Sequence, residues 1–277
     1  MDLHFILGGA LVGFIVGATG VGGGSLMTPL LTLVFNVPAQ VAVGTDLLFA
    51  SITKASGAAA HARRGCVNWP ITGWLVAGSV PAAVATLAAV HVLKPDAALF
   101  AEVVKRTLGA ALFLTATALV FRVQIQALGR RFAGQGRRHV ITFAAASSSG
   151  SLLLSEERIA RPLPTALIGA VIGTLVTLTS VGAGVIGVVA LFFLYPLLPT
   201  RQIVGSDIAH AVPLTLVAGL GHVSLGNVNW SMLGMLLIGS LPAIHLGAAV
   251  AHRLPERALR IALATMLIGI GSKLLLG

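Results

Sequence analysis

The chain has 277 residues, of which 56% are hydrophobic and 9% charged, with a mean hydropathy of +0.97. Soluble domains carry about 25% charged residues, so 18 basic and 8 acidic side chains cannot cover a water-soluble fold of this size. An ordinary soluble enzyme and a disordered chain are excluded, and the lone Cys66 excludes a disulfide framework or a cysteine metal site within the chain. The composition predicts an all-α polytopic membrane protein. The pI near 11.5 is attributed to Lys and Arg in cytoplasmic loops, and no basic helix with interleaved aromatics points to nucleic acid. Met1-Asp2-Leu3-His4 lacks a basic leader, so the first apolar run reads as a span and not as a cleaved signal.

A helical span needs about 20 apolar residues. The first half offers segments at 3–19, 22–35, 41–60, 70–92 and 103–121. The second offers 164–181, 184–198, 203–222, 231–252 and 257–276. The second segment of each half is short for a full crossing and reads as a half-helix or a steeply re-entrant piece. Three regions follow: a first transmembrane repeat over 1–121, a polar basic linker over 122–163, and a second repeat over 164–277. The linker holds Arg122, Arg130, Arg131, Arg137, Arg138, Arg158 and Arg161 against Glu156 and Glu157. It reads as a cytoplasmic connection, with a regulatory or lipid-headgroup surface as the alternative.

The halves repeat each other. Gly9-Ala10-Leu11-Val12-Gly13 matches Gly169-Ala170-Val171-Ile172-Gly173, and Val21-Gly22-Gly23-Gly24 matches Val181-Gly182-Ala183-Gly184. After one inserted residue, 38–82 aligns with 199–243 without a gap, with 16 identities in 45 positions. These include Asp46 with Asp207, His61 with His222, Asn68-Trp69 with Asn229-Trp230, and Gly78-Ser79 with Gly239-Ser240. Shared apolar composition would not bring these polar residues into register. Duplication is a common build of secondary transporters.

The repeats are expected to be inverted. Five segments per half is an odd number. His61-Ala62-Arg63-Arg64-Gly65 is basic, whereas its equivalent, His222-Val223-Ser224-Leu225-Gly226, has no Lys or Arg. With the N-terminus outside, Arg63, the arginine block and Arg253 all fall inside. The charges near Lys94, Asp96, Glu102, Lys105 and Arg106 are mixed and are the one misfit. If the first two segments form a single broken span, the repeats are parallel instead.

The glycine-rich turns are the first candidate site. Gly20 to Ser25 and Thr179 to Gly184 interrupt apolar runs at matched positions. Irregular backbone at membrane depth survives only inside protein or beside a water-filled cavity, and paired breaks are the best sequence pointer to a transporter site. The helices that begin there would aim free N–H groups and positive dipole ends at the protein centre, which suits an anion. Close helix packing through small residues is the alternative. The predicted substrate-binding set is Gly22, Gly23, Gly24, Ser25, Thr28 and Thr45 in the first half, with Gly182, Gly184 and Ser206 in the second.

The second candidate is the intramembrane ionisable set: Asp46, Lys54, Asp207 and His210. Charged groups at this depth are costly and face a cavity or one another. Asp46 and Lys54 are eight residues apart, about 80° around a helix and about 12 Å along it, so their partners are expected from elsewhere. Lys54 has Thr215 as its twin, and His210 has Phe49. The four are assigned to coupling or gating, with a structural ion pair plus a hydrogen-bonded histidine as the alternative. Pro213 loosens the turn that carries His210, which suits a gate or a packing kink equally. His61 and His222 are expected to cap carbonyls at helix ends, and Trp69 and Trp230 to anchor at the interface. No nucleophile–base pair of a membrane enzyme is recognisable, and no cofactor is called for.

The repeated Val-Gly-Gly-Gly-Ser…Pro pattern, Val43-Gly44-Thr45, His61-x-Arg63-Arg64-Gly65-x-Val67-Asn68-Trp69 and Gly78-Ser79-Val80-Pro81 together resemble the TauE/SafE sulfite-exporter family. The resemblance covers both halves and leaves out the linker. It implies a multi-pass bacterial inner-membrane transporter of sulfite, a sulfonate or a related small organic anion. That family's pattern often has Ser after Gly-Thr, where this chain has Asp46. The two acids are therefore expected to carry protons or to hold basic partners. The resulting expectation is a secondary transporter working by alternating access, driven by protons, another coupling ion or the anion's own gradient. The alternative is a proton-coupled cation or metal carrier with Asp46, Asp207 and His210 as ligands.

Overall fold

The computed structural model describes residues 3–19, 24–93, 97–121, 124–125, 127–128, 161–182, 184–250 and 256–276. Ten helices organise them: α1 (Leu3–Thr19), α2 (Gly24–Leu33), α3 (Ala39–Arg63), α4 (Trp69–Leu93), α5 (Ala97–Val120), α6 (Pro162–Thr179), α7 (Val185–Leu194), α8 (Thr200–Ser224), α9 (Trp230–Val250) and α10 (Glu256–Leu276). No strand occurs among the described residues. The ten apolar segments of the sequence correspond to these helices one for one. Among the described residues, five helical stretches are long and apolar enough to cross a membrane: Trp69–Leu93, Ala101–Val120, Pro162–Thr179, Thr200–Ser224 and Trp230–Gly247. The short second segments are shorter still than read from sequence, since α2 and α7 have 10 residues each. Most of the basic linker, together with Lys94, Asp96 and Arg253, lies outside the described residues.

Local chemistry sets the helix ends, and does so twice. Pro38 and Pro199 precede α3 and α8 with φ of −52° and −58°, values that proline fixes before a helix. At the far ends, Gly65 and Gly226 take φ of +64° and +73°. That left-handed turn lets the Cys66 N–H reach the His61 carbonyl, and the Asn227 N–H reach the His222 carbonyl, each at 2.9 Å. Such pairs satisfy carbonyls that a helix end leaves open. Asn68 Oδ1 then accepts from the Ile71 N–H at 3.3 Å, and Asn229 Oδ1 from the Met232 N–H at 3.0 Å, capping the starts of α4 and α9.

Helix pairing crosses the halves. α1 packs along α9 and α6 along α4, while α3 packs on α8 and α5 on α10. Gly9 and Gly13 face the backbone of Leu236 and Ser240, so α1 and α9 run parallel. Their twins Gly169 and Gly173 face Leu75 and Ser79, so α6 and α4 do likewise. A Cβ on Gly13 would stand 2.6 Å from the Ser240 carbonyl oxygen, so only glycine permits this approach. Small residues do this in membranes, where lipid removes the hydrophobic drive and close packing holds helices together. α3 and α8 run antiparallel, with Gly219 against Leu48 and Gly57 against Ile208.

Candidate substrate and coupling site

The second glycine break joins α6 to the short helix α7. α6 ends at Ser180, whose φ of +58° is left-handed, and its N–H bonds the Val176 carbonyl at 2.7 Å. Gly182 and Gly184 follow with φ of +119° and +143°, conformations that side chains with a Cβ rarely adopt. They turn the chain into α7, which starts with no side-chain cap. Its first-turn N–H groups therefore rely on something other than a capping side chain. In the first half, Gly22 and Gly23 lie outside the described residues. Gly24 opens α2, and Ser25 follows in the helix with its side chain outside the described set.

The remaining predicted residues fall into two groups. Thr28 is fully buried, and its Oγ1 donates to Asp46 Oδ2 at 2.5 Å. Thr45 and Ser206 hold the two halves together: Thr45 Oγ1 accepts from the Asn229 N–H at 3.1 Å, and Ser206 Oγ from the Asn68 N–H at 2.8 Å. The sequence pattern groups these two hydroxyls with the substrate. Their positions show each receiving the loop that follows the long helix of the opposite half. The glycine beside each hydroxyl makes this possible, as Gly44 lies against the Asn227 carbonyl and Gly205 against the Cys66 carbonyl.

Asp46, Lys54, Asp207 and His210 are all buried, at 0%, 7%, 1% and 0% exposure. Such burial is exceptional for charged groups unless they are paired. Lys54 feels the charges of Asp207 on α8 and of Asp46 on its own helix at a distance, and no hydrogen bond reaches either Asp207 oxygen. Gly187 on α7 packs directly on the Asp207 carboxylate. His210 Nε2 pairs with Ser79 Oγ of α4 at 2.9 Å. Ser180 lies beside the Asp46 carboxylate without reaching hydrogen-bond geometry.

Several buried polar atoms here lack a hydrogen-bond partner: Asp46 Oδ1, Ser180 Oγ, both oxygens of Asp207 and His210 Nδ1. Native interiors rarely leave such atoms unmatched, so each of them calls for a water, an ion or a substrate. His222 differs, because its Nε2 meets the Thr177 carbonyl at 2.9 Å, as expected for a histidine closing a helix end. Trp69 and Trp230 begin α4 and α9 and are 63% and 61% exposed. Ser79 and Ser180 lie in stretches that the sequence singles out, the repeated Gly78-Ser79 pair and the second glycine-rich turn, but Gly187 carries no functional signal in the sequence. Each reaches the cluster from a helix far along the chain.

One turn along α2 from the Thr28–Asp46 bond, a cavity of about 300 Å³ opens between α2, α3, α5 and α10. Thr32, Val37, Glu102 and Lys105 are among its lining residues. Among the described residues, no group of three or more His, Cys, Asp or Glu side chains is placed to hold a metal.

Comparison with known proteins agrees with this architecture. The chain is 34% identical to the probable membrane transporter protein YjnA of Bacillus subtilis (strain 168) over 275 residues, which is 99% of this chain and 100% of that protein. It is 25% identical to the probable membrane transporter protein YdhB of the same organism, over 91% of each chain. A probable membrane transporter protein of Xylella fastidiosa (strain Temecula1 / ATCC 700964) is 27% identical over 89% of this chain and 83% of that one. No solved structure matches the chain. The family described as "Sulfite exporter TauE/SafE" matches residues 5–274. With both halves, both glycine breaks and the α3–α8 crossing inside that match, the chain belongs to the sulfite exporter TauE/SafE family of membrane transporters.

Proposed function

We propose that the protein is a secondary transporter of a small oxyanion, sulfite or an organosulfonate, across the bacterial inner membrane. The observation that carries this reading is the pair of ten-residue helices, α2 and α7. Each starts after a glycine break and lies against a buried aspartate of a long helix. A half-helix beginning inside the bilayer presents N–H groups and a positive dipole end without adding a charged side chain. An oxyanion shed of its water needs such donors, and Gly182 and Gly184 let the backbone come close. In the first half the corresponding contacts are assigned to Gly22, Gly23, Gly24 and Ser25.

Alternating access follows from inverted repeats. The antiparallel crossing of equivalent helices α3 and α8 supports the inversion, because a two-fold axis perpendicular to two spanning helices lies in the membrane plane. The opposite charge of the two equivalent loops supports it as well. Thr45 and Ser206 enter this reading as the hydroxyls that keep the crossing in register. Thr28, Asp46, Lys54, Asp207 and His210 form the coupling set behind the half-helices.

The test is flux in liposomes carrying the purified protein, with labelled sulfite, a sulfonate and a divalent cation in parallel. Anion uptake that Gly184→Val abolishes, with thermal unfolding still cooperative, supports the reading. Cation flux without anion flux would replace it with a cation carrier.

A further inference from the structure

The two short helices differ along one face. Thr28 and Thr32 stand four residues apart on α2 and therefore side by side. Their twins on α7 are Val188 and Phe192. Neither twin has a hydrogen-bonding side chain, and Phe192 is fully buried in a cluster with Ile71, Leu75 and Tyr195. α2 thus keeps a hydroxyl track where its duplicate is apolar. Thr28 Oγ1 is taken by Asp46. Thr32 Oγ1 donates only to carbonyls of its own helix, Thr28 at 3.0 Å and Pro29 at 3.1 Å. Those carbonyls also serve the helix ladder, so this hydroxyl can turn to another acceptor at little cost.

Thr32 lines the cavity of about 300 Å³. Helix ends gather around it: Ala39 opens α3, Ala98 lies in the first turn of α5, and Leu274 lies in the last turn of α10. Ends of spanning helices lie near a membrane face, and the cavity lies there with them. Its charged residues are Glu102 and Lys105. Glu102 Oε1 accepts from Arg106 Nε at 2.6 Å. Among the described residues no carboxylate pairs with Lys105, which is half-buried. This turn of α5 therefore presents one net positive charge to the cavity. The volume is at the small end of the range for ligand sites, roughly 300–1,000 Å³, which suits a small ion, and an ammonium repels cations.

We propose that this cavity is a seat for a small oxyanion at the membrane face, held by the Lys105 ammonium and the Thr32 hydroxyl. A lysine is a compact point charge with three donors and recognises charge more than shape. Sulfonate, sulfate and phosphate groups should therefore compete for it. From the seat, the hydroxyl face of α2 leads to Thr28 one turn away. Its role as the first stop of a transported anion rests on the transport reading; the seat itself does not. A phospholipid phosphate has the same chemistry, and the experiment separates it from a free anion.

The experiment is amine acylation of the full protein in detergent, at constant ionic strength, read at single lysines by peptide mass spectrometry. The chain has four lysines: Lys54, Lys94, Lys105 and Lys273. At about ten times its half-saturating concentration, methanesulfonate should slow acylation of Lys105 about tenfold, as occupancy requires. Sulfate and phosphate should also protect it. Lys273 is exposed and adjoins the cavity-lining Leu274, and its rate should not change. Thr32→Val, with cooperative unfolding retained, should weaken methanesulfonate binding about threefold or more, the loss of one hydrogen bond. In liposomes, Lys105→Gln should raise the KM for sulfonate flux about tenfold, Lys105→Arg should restore most of it, and Lys273→Gln should not raise it.

Equal protection of Lys105 and Lys273, or protection of neither, would overturn the proposal. So would protection by phosphatidylglycerol in nanodiscs with no further effect of methanesulfonate, which would assign the cavity to a lipid headgroup. An unchanged KM in Lys105→Gln would overturn its place as first stop. Protection of Lys105 in a protein without sulfonate flux would leave the seat standing and count against the transport reading.

Discussion

Thr28→Val probes the junction between half-helix and long helix. The Thr28 Oγ1–Asp46 Oδ2 bond is 2.5 Å long, and both residues are fully buried. Valine keeps the shape and removes the donor, so the cavity contribution is small and the loss is nearly all hydrogen bond. Bonds to charged groups contribute about 1.5–3 kcal/mol. Asp46 Oδ1 is already without a partner, so the substitution removes the side-chain hydrogen bond that the carboxyl accepts on its other oxygen. The expected loss of unfolding free energy is therefore about 1.5–3 kcal/mol, read by denaturant titration in a mild detergent. Thr53→Val is the control, because Thr53 donates only to carbonyls of its own helix, Phe49 at 2.9 Å and Ala50 at 3.2 Å. It should stay within about 0.5 kcal/mol of wild type. A Thr28→Val loss no greater than that of the control would refute the view that α2 is fastened to α3 through this carboxyl.

Gly187→Ala would place a Cβ 2.9 Å from Asp207 Cγ, and this overpacking should cost about 1–3 kcal/mol; Gly73→Ala, whose Cβ meets nothing within 4 Å, should be silent in the same thermal scan. Ser206→Ala and Thr45→Val each leave a backbone N–H without its acceptor, and each should lose about 1–3 kcal/mol; similar values for the two would reflect their equivalent geometry, and a tenfold difference in unfolding constant would contradict it. In a Cys66→Ser background, Arg64→Cys and Asn227→Cys should be labelled by an impermeant thiol reagent from opposite sides of the membrane, and labelling from one side would rule out inverted repeats.

Much of the framework was legible because it is written in local chemistry. Glycine-rich turns interrupt the apolar runs, consecutive glycines at 22–24 and Gly182-Ala183-Gly184 in the second half, so the short helices α2 and α7 could be anticipated. The duplication made Asp46 and Asp207 conspicuous, since few chains repeat an acid inside an apolar segment. What escaped was the pairing across the halves. Ser206 receives the Asn68 N–H from 138 residues away, and nothing near either residue announces the other. The Lys54–Asp207 interaction depends on the antiparallel crossing of α3 and α8, a property of two helices together. The sequence offers Thr28 as a hydroxyl donor beside the first glycine break, and nothing near it in the chain announces Asp46 as its partner. In the fold an acid of the next helix takes that hydroxyl first. Ser180 was legible only as part of its glycine-rich turn, because its left-handed backbone is one that a serine does not advertise.

The glycine-lined seams divide the molecule differently from its gene. α1 belongs to the first half and α9 to the second, yet their backbones touch so closely that one cannot slide past the other. The same holds for α6 and α4. Each seam is a composite beam with one member from each duplicate. Any rocking motion must therefore carry α1 with α9, and α6 with α4, as two rigid arms about the α3–α8 crossing. With the seams closed, a rocking motion would not move one copy of the repeated unit against the other. Neither half expressed alone would contain a complete arm, and a chain severed in the linker should regain its architecture only when both fragments are present in the same membrane.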